Sequence, residues 1–121
     1  MFDPQTIRET AFRYYGRLGR LERYVAEHLT EPITAERAAE VTGLETKYFS
    51  TFFRTKVGVR FKHWVGHVRV RRAMDLIRNS DQSLTEVAFE AGFADLRTLE
   101  RVFKQHTGMT PREYRRDARP C

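Results

Sequence analysis

The sequence predicts an all-α fold of about seven helices, arranged as two similar lobes joined by a long central helix. Three observations lead there. Apolar residues recur every three or four positions almost throughout, the period of helices with one buried face, and no strand-like alternation competes. Glycines and prolines fall between the periodic stretches, where helices stop and start. Finally, residues 43–64, GLETKYFSTFFRTKVGVRFKHW, are restated at residues 92–114, GFADLRTLERVFKQHTGMTPREY.

Each helix has its own signal. Asp3-Pro4 offers an N-cap and a first-turn proline for a leader helix or linker over residues 1–16. Ile7, Ala11, Tyr14, Leu18, Leu21, Val25 and Leu29 continue the spacing, but Gly16 and Gly19 weaken it. The leader is therefore expected to give way to a firmer helix from about Arg17 to Leu29, ended by Pro32. Thr34 caps a short helix, roughly Ala35 to Thr42, which Gly43 closes. A further helix from Glu45 or Thr46 to Val57 is expected to bury Tyr48, Phe49, Phe52 and Phe53 and to close at Gly58. The longest runs from about Arg60 to Asn79, with Phe61, Trp64, Val65 and Val68 on one face and Ala73, Leu76 and Ile77 continuing inward. Ser83 and Glu86 fit a capping box for a helix that Gly92 ends. Asp95 caps the next, about Leu96 to His106, closed by Gly108, and Thr110-Pro111-Arg112-Glu113 opens the last. The lobes then cover residues 17–59 and 80–117, with 60–79 connecting them and 118–121 a tail.

Composition bounds the function. At 121 residues, with 40% hydrophobic and 31% charged side chains, the chain is that of an ordinary globular domain. No apolar run approaches a membrane span, and the start, MFDPQTIRET, lacks a signal peptide's basic-then-apolar order. The one cysteine, Cys121, excludes an internal disulfide framework, and the cytoplasm is the expected compartment. A net charge of +6 favours a polyanionic partner. Between Thr46 and Met74 no acidic residue faces Lys47, Arg54, Lys56, Arg60, Lys62, Arg69, Arg71 and Arg72. A second basic cluster, from Arg97 through Arg101, Lys104, Arg112, Arg115 and Arg116 to Arg119, is diluted by Glu100, Glu113 and Asp117.

The repeat gives that charge a frame. With Gly43 set against Gly92, Ala39 and Ala88 stand at the same distance upstream, small where two helices cross closely. Leu44 and Phe93 follow as plugs beneath the turn. After a turn one residue longer in the second copy, Phe49 answers Leu99, Phe53 Phe103, Arg54 Lys104, Gly58 Gly108 and Trp64 Tyr114. Counted from the opening glycines, Arg97, Glu100 and Arg101 replace Tyr48, Thr51 and Phe52 on the outer face. A short helix, a glycine turn and a longer helix form a helix-turn-helix, whose second helix can enter the major groove of DNA. About twenty residues of connecting helix span roughly 30 Å, near the ~34 Å of a DNA turn, so a monomer would suffice to reach successive groove segments.

The stretches GLETKYFSTFFRTKVG, RVRRAMDLI at 69–77 and SLTEVAFEAGFADLRTLERVFKQHTGMTPREYR at 83–115 resemble the DNA-binding domain of the AraC/XylS family of bacterial transcription regulators. The resemblance runs from about Arg17 to Arg116. It implies a seven-helix, two-lobe fold that binds promoter DNA on the nucleoid and usually activates transcription through RNA polymerase. Many members carry an effector-binding, dimerising domain upstream. The chain resembles the compact stand-alone members, or the DNA-binding part of a longer regulator.

By family position, Lys47, Ser50 and Thr51 fall where base-edge contacts are expected, with Thr46, Arg54 and Lys56 toward phosphates. In the second unit Leu99, Val102 and Phe103 point inward. That leaves Leu96, Arg97, Glu100 and Arg101 for bases and Thr98 and Lys104 for phosphates. Arginine bidentate to guanine discriminates by about 1–3 kcal/mol, and Glu100 can accept from a cytosine amine. The plainer reading ties Arg97 and Arg101 to Glu100 or to phosphates. Three departures stand out: Glu45 where the family has a serine cap, Ser50 and Thr51 where longer chains are usual, and Arg97 where Ser or Gln is usual. Arg69 is expected to be a structural arginine packed between lobes.

No enzyme, cofactor or metal site is expected. His63 and His67 have zinc-helix spacing, but Trp64 stands where the catalytic glutamate would be, and no third ligand is near in sequence. Related helix-turn-helix units occur in alkylation-repair methyltransferases, but a tail cysteine such as Cys121 lacks the basic, structured surroundings that activate a thiolate. The alternative from another class is a helical adaptor whose basic surface mainly binds a protein such as RNA polymerase.

Overall fold

A computed structural model describes residues 7–118. Among the described residues it is all-helical, with α1 (Ala11–Tyr14), α2 (Gly16–Glu27), α3 (Ala35–Thr42), α4 (Thr46–Val57), α5 (Phe61–Asn79), α6 (Leu84–Glu90), α7 (Leu96–Thr107) and α8 (Pro111–Ala118). The Asp3-Pro4 cap, Arg119 and Cys121 lie outside those residues. The expected short leader stands as α1, and an extended Tyr15 separates it from α2, giving eight helices among the described residues. The chain divides into two compact units, and the boundary between Val65 and Gly66 falls inside α5.

In the first lobe α2 buries Leu18, Leu21 and Val25, and α4 buries Phe49, Phe53 and Val57. The first turn of α5 completes this core. The Phe61 ring meets Phe49 and Phe53 edge-on at 5.3 Å, and Trp64 lies 5.5 Å from Phe53. Three aromatics depart from expectation. Tyr48 is 58% exposed and Phe52 only half-buried, because a helix turns about 100° per residue and four rings within six positions cannot share one face. Tyr14 is 78% exposed, since the break at Tyr15 shifts the phase and Phe12 goes inward instead.

The second lobe packs Val70, Ala73 and Ile77 of α5 against Val87, Ala88, Phe93, Leu99 and Phe103. Tyr114 of α8 stands edge-on to Phe103 at 5.6 Å and accepts a hydrogen bond from Arg78 at 3.1 Å.

The repeat holds at the level of single hydrogen bonds. At the end of α3, Leu44 N–H donates to Ala39 O at 2.9 Å and Gly43 N–H to Glu40 O at 3.1 Å. At the end of α6, Phe93 N–H donates to Ala88 O at 2.8 Å and Gly92 N–H to Phe89 O at 3.1 Å. This is a Schellman closure, and it needs a left-handed residue, supplied by Gly43 at φ 73° and Gly92 at φ 97°. The caps at Thr34, Ser83 and Asp95 and the reciprocal Thr110–Glu113 pair form as the spacing predicts. One register is corrected. The extra residue in the second turn precedes α7, so along the helices Lys47 matches Arg97, Ser50 matches Glu100 and Thr51 matches Arg101; Tyr48 and Phe52 match Thr98 and Val102.

Candidate nucleic-acid interface

Two stripes emerge. Lys47, Ser50, Thr51 and Arg54 are exposed on α4, and Arg97, Glu100, Arg101 and Lys104 on α7. Both follow the i, i+3, i+4, i+7 spacing of one helical face, opposite the buried Phe49–Phe53 and Leu99–Phe103 pairs. Each is fixed at its far end by a left-handed glycine, whose N–H donates to Arg54 O at 3.0 Å and Lys104 O at 2.9 Å. An α-helix with such an exposed polar face is what a major groove admits.

The two starts differ. The Asp95 side chain accepts from Thr98 N–H at 2.7 Å, closing the first turn of α7. Hydrogen bonds from Thr98, and lesser attraction from Arg97 and Arg101, hold the Asp95 carboxyl below its ordinary 3.8. Glu45 occupies the same place before α4 and makes no side-chain cap. Ser50 is partly engaged, its hydroxyl donating back to Thr46 O at 3.4 Å.

The electrostatics favour an anion. The first stripe carries Lys47 and Arg54 with no acid, and the second has three cations against Glu100. Among the described residues, Arg97 and Arg101 form no ion pair with Glu100, unlike Arg37–Glu40 and Asp75–Arg78 elsewhere. Both side chains are exposed, and each adds a minor attraction to the Asp95 carboxylate.

Other candidates lie off the stripes. Leu96 is half-buried against the second lobe's core, and Thr46 and Thr98 are half-buried. Lys56 holds its ammonium 5.3 Å above the Tyr15 ring. Tyr48, expected in the core, instead flanks the first stripe with its ring 6.1 Å from Phe52. Arg69 is half-buried, and burial lowers its pKa. His63 is exposed whereas His67 is buried, its ring 6.2 Å from His106. Among the described residues no three His, Cys, Asp or Glu side chains gather as metal ligands.

Known proteins share this arrangement. A family model described as a helix-turn-helix domain matches residues 38–117. The DNA-binding domain of AdpA, a global transcriptional factor solved in complex with a target DNA, is 31% identical with a TM-score of 0.78, over 86% of this chain and 96% of that one. The regulatory protein PocR of Salmonella typhimurium is 33% identical over 77% of the chain, and the HTH-type transcriptional regulator YobQ of Bacillus subtilis 30% over 76%. The match spans only 31% of PocR and 38% of YobQ.

Proposed function

Because the chain belongs to the AraC family of helix-turn-helix DNA-binding transcription regulators, we propose that its α4 and α7 stripes read two successive major-groove segments of promoter DNA. The observation that carries this is the matched pair of outward stripes with different chemistry. The first offers one amine, two hydroxyls and one guanidinium; the second offers two guanidiniums, an amine and a carboxylate. Arg97 and Arg101 read bases, as do Lys47, Ser50 and Thr51, while Arg54 and Lys104 hold phosphates. The protein acts in the cytoplasm as a monomer on DNA and activates transcription through RNA polymerase. The likeness to AdpA supports DNA as the partner, ahead of the adaptor reading.

Selection of bound sequences from a random duplex pool tests this, followed by titration of selected against random duplex at several salt concentrations. Selected DNA should keep a specificity gap while affinity falls steeply with salt. Arg97→Ala or Arg101→Ala should relax preference at one end of the site by about 1–3 kcal/mol, whereas Arg54→Ala should weaken all sequences alike. Equal binding of random and selected duplexes would sink sequence-specific reading and favour the adaptor.

A further inference from the structure

The two stripe-bearing helices end differently. At the end of α7, Thr107 closes its own helix, its hydroxyl donating to Phe103 O at 2.8 Å. The matching residue of α4 is Val57, which has no hydroxyl. There the terminal carbonyls are taken from far upstream: Arg8 N–H donates to Val57 O at 2.8 Å, and its guanidinium to Thr55 O at 2.7 Å. Both are acceptors that a helix end otherwise leaves to water, and a cation there also suits the helix dipole.

The same segment is anchored on either side of Arg8. Ile7 and Phe12 are 6% and 4% exposed. Phe12 stacks on Trp64 at 4.9 Å and meets Phe53 edge-on at 6.2 Å. Further along, Tyr15 abuts Phe52 at 5.7 Å and lies beneath the Lys56 ammonium. Residues 7–15 therefore grip α4 from Phe52 to Val57, and they lie outside the stretch that the family model covers.

We propose that Ile7–Tyr15 is a strap that positions α4, with Arg8 as its positioning residue. Base reading by the first lobe, but not by the second, then depends on chain that precedes the helix-turn-helix. A twelve-residue helix is marginal alone and takes its order from packing, so releasing the strap frays α4 from Val57 back toward Arg54, the last member of the stripe. Displacement of the Ile7–Tyr15 strap would loosen one half of the reading surface and leave the other intact. This rests on the DNA-reading role proposed above.

The test measures amide exchange of the free protein and sequence selection on the full chain, for wild type, Arg8→Ala and Arg8→Lys. Arg8→Ala should speed exchange in the last turn of α4 by about fivefold to tenfold, with α7 unchanged. It should flatten base preference under the first lobe only, and Arg8→Lys should restore part of both. Unchanged exchange and preference in Arg8→Ala, while Lys47→Ala or Thr51→Ala shifts preference, would overturn the strap and leave DNA reading standing. A wild type without base preference would sink the reading itself, and exchange would still decide the strap. If Arg8→Ala unfolds the first lobe, Arg8→Met, which keeps the apolar stem and loses the guanidinium, carries the comparison: a folded lobe with faster α4 exchange and flattened first-lobe preference supports the proposal, and wild-type preference with wild-type exchange refutes it.

Discussion

Truncating Phe103 should melt one lobe and spare the other. The ring is fully buried and meets Tyr114 at 5.6 Å, so Phe103→Ala removes it from a closed core at a cost of about 3–5 kcal/mol. The second lobe has roughly fifty described residues, and at about 0.05–0.15 kcal/mol each it holds only about 3–8 kcal/mol. The substitution therefore takes a large part of its stability and should lower its melting temperature by more than about 12 °C. The first lobe keeps Phe49, Phe53 and Leu18 and holds the single tryptophan, Trp64. Far-ultraviolet circular dichroism follows both lobes, whereas tryptophan fluorescence follows the first. In Phe103→Ala the dichroism should lose part of its amplitude early while the fluorescence transition stays near wild type. Phe53→Ala should reverse the order. If both signals in Phe103→Ala fall together by the same amount, the cores melt as one unit through α5 and the reasoning fails.

Three further outcomes follow from single residues. Gly43→Ala puts a side chain at φ 73° and should cost the first lobe about 1 kcal/mol or more, read as an earlier Trp64 transition. Glu45→Ser supplies the cap that α4 lacks and should stabilise the first lobe by about 1 kcal/mol in the same assay; it also removes a negative charge beside the stripe, so affinity for any duplex should rise. Burial first, then the nearby Arg71, hold the His67 ring below its ordinary 6.5. The unfolded chain takes up that proton more readily, so the stability due to neutral His67 is present above about pH 6.5 and lost as pH falls below it through the folded value. Dichroism melts should show the second lobe weakening between about pH 7 and 5.5, with a shallower slope in His67→Leu; equal slopes would exclude His67 as the cause.

Much of this fold is written in short-range chemistry. Thr34, Ser83, Asp95 and Thr110 mark helix starts, and Gly43, Gly58 and Gly108 mark ends, because caps and left-handed turns depend on few neighbours. The outward stripes follow from the same periodicity. What was illegible depends on partners distant in sequence. Tyr48, Phe49, Phe52 and Phe53 all read as core, yet only Phe49 and Phe53 are buried, while Phe52 finds Tyr15 as a neighbour. Leu96 reads as outward until the second lobe's core lies beneath it. No local signal announces the Tyr15 ring under the Lys56 ammonium. Arg8 carries no local signal, because the acceptor of its guanidinium lies 47 residues away.

The identical closures of α3 and α6, with the matching Phe53–Trp64 and Phe103–Tyr114 ring pairs, make the exposed stripes interchangeable parts. α4 and α7 have equal length and end on equivalent glycines, so transplanting Arg97, Glu100, Arg101 and Lys104 onto positions 47, 50, 51 and 54 alters no buried residue. Under the proposed reading of the stripes, a designer could thus write the same half-site into both lobes, or a new one into either, by editing four side chains at a time.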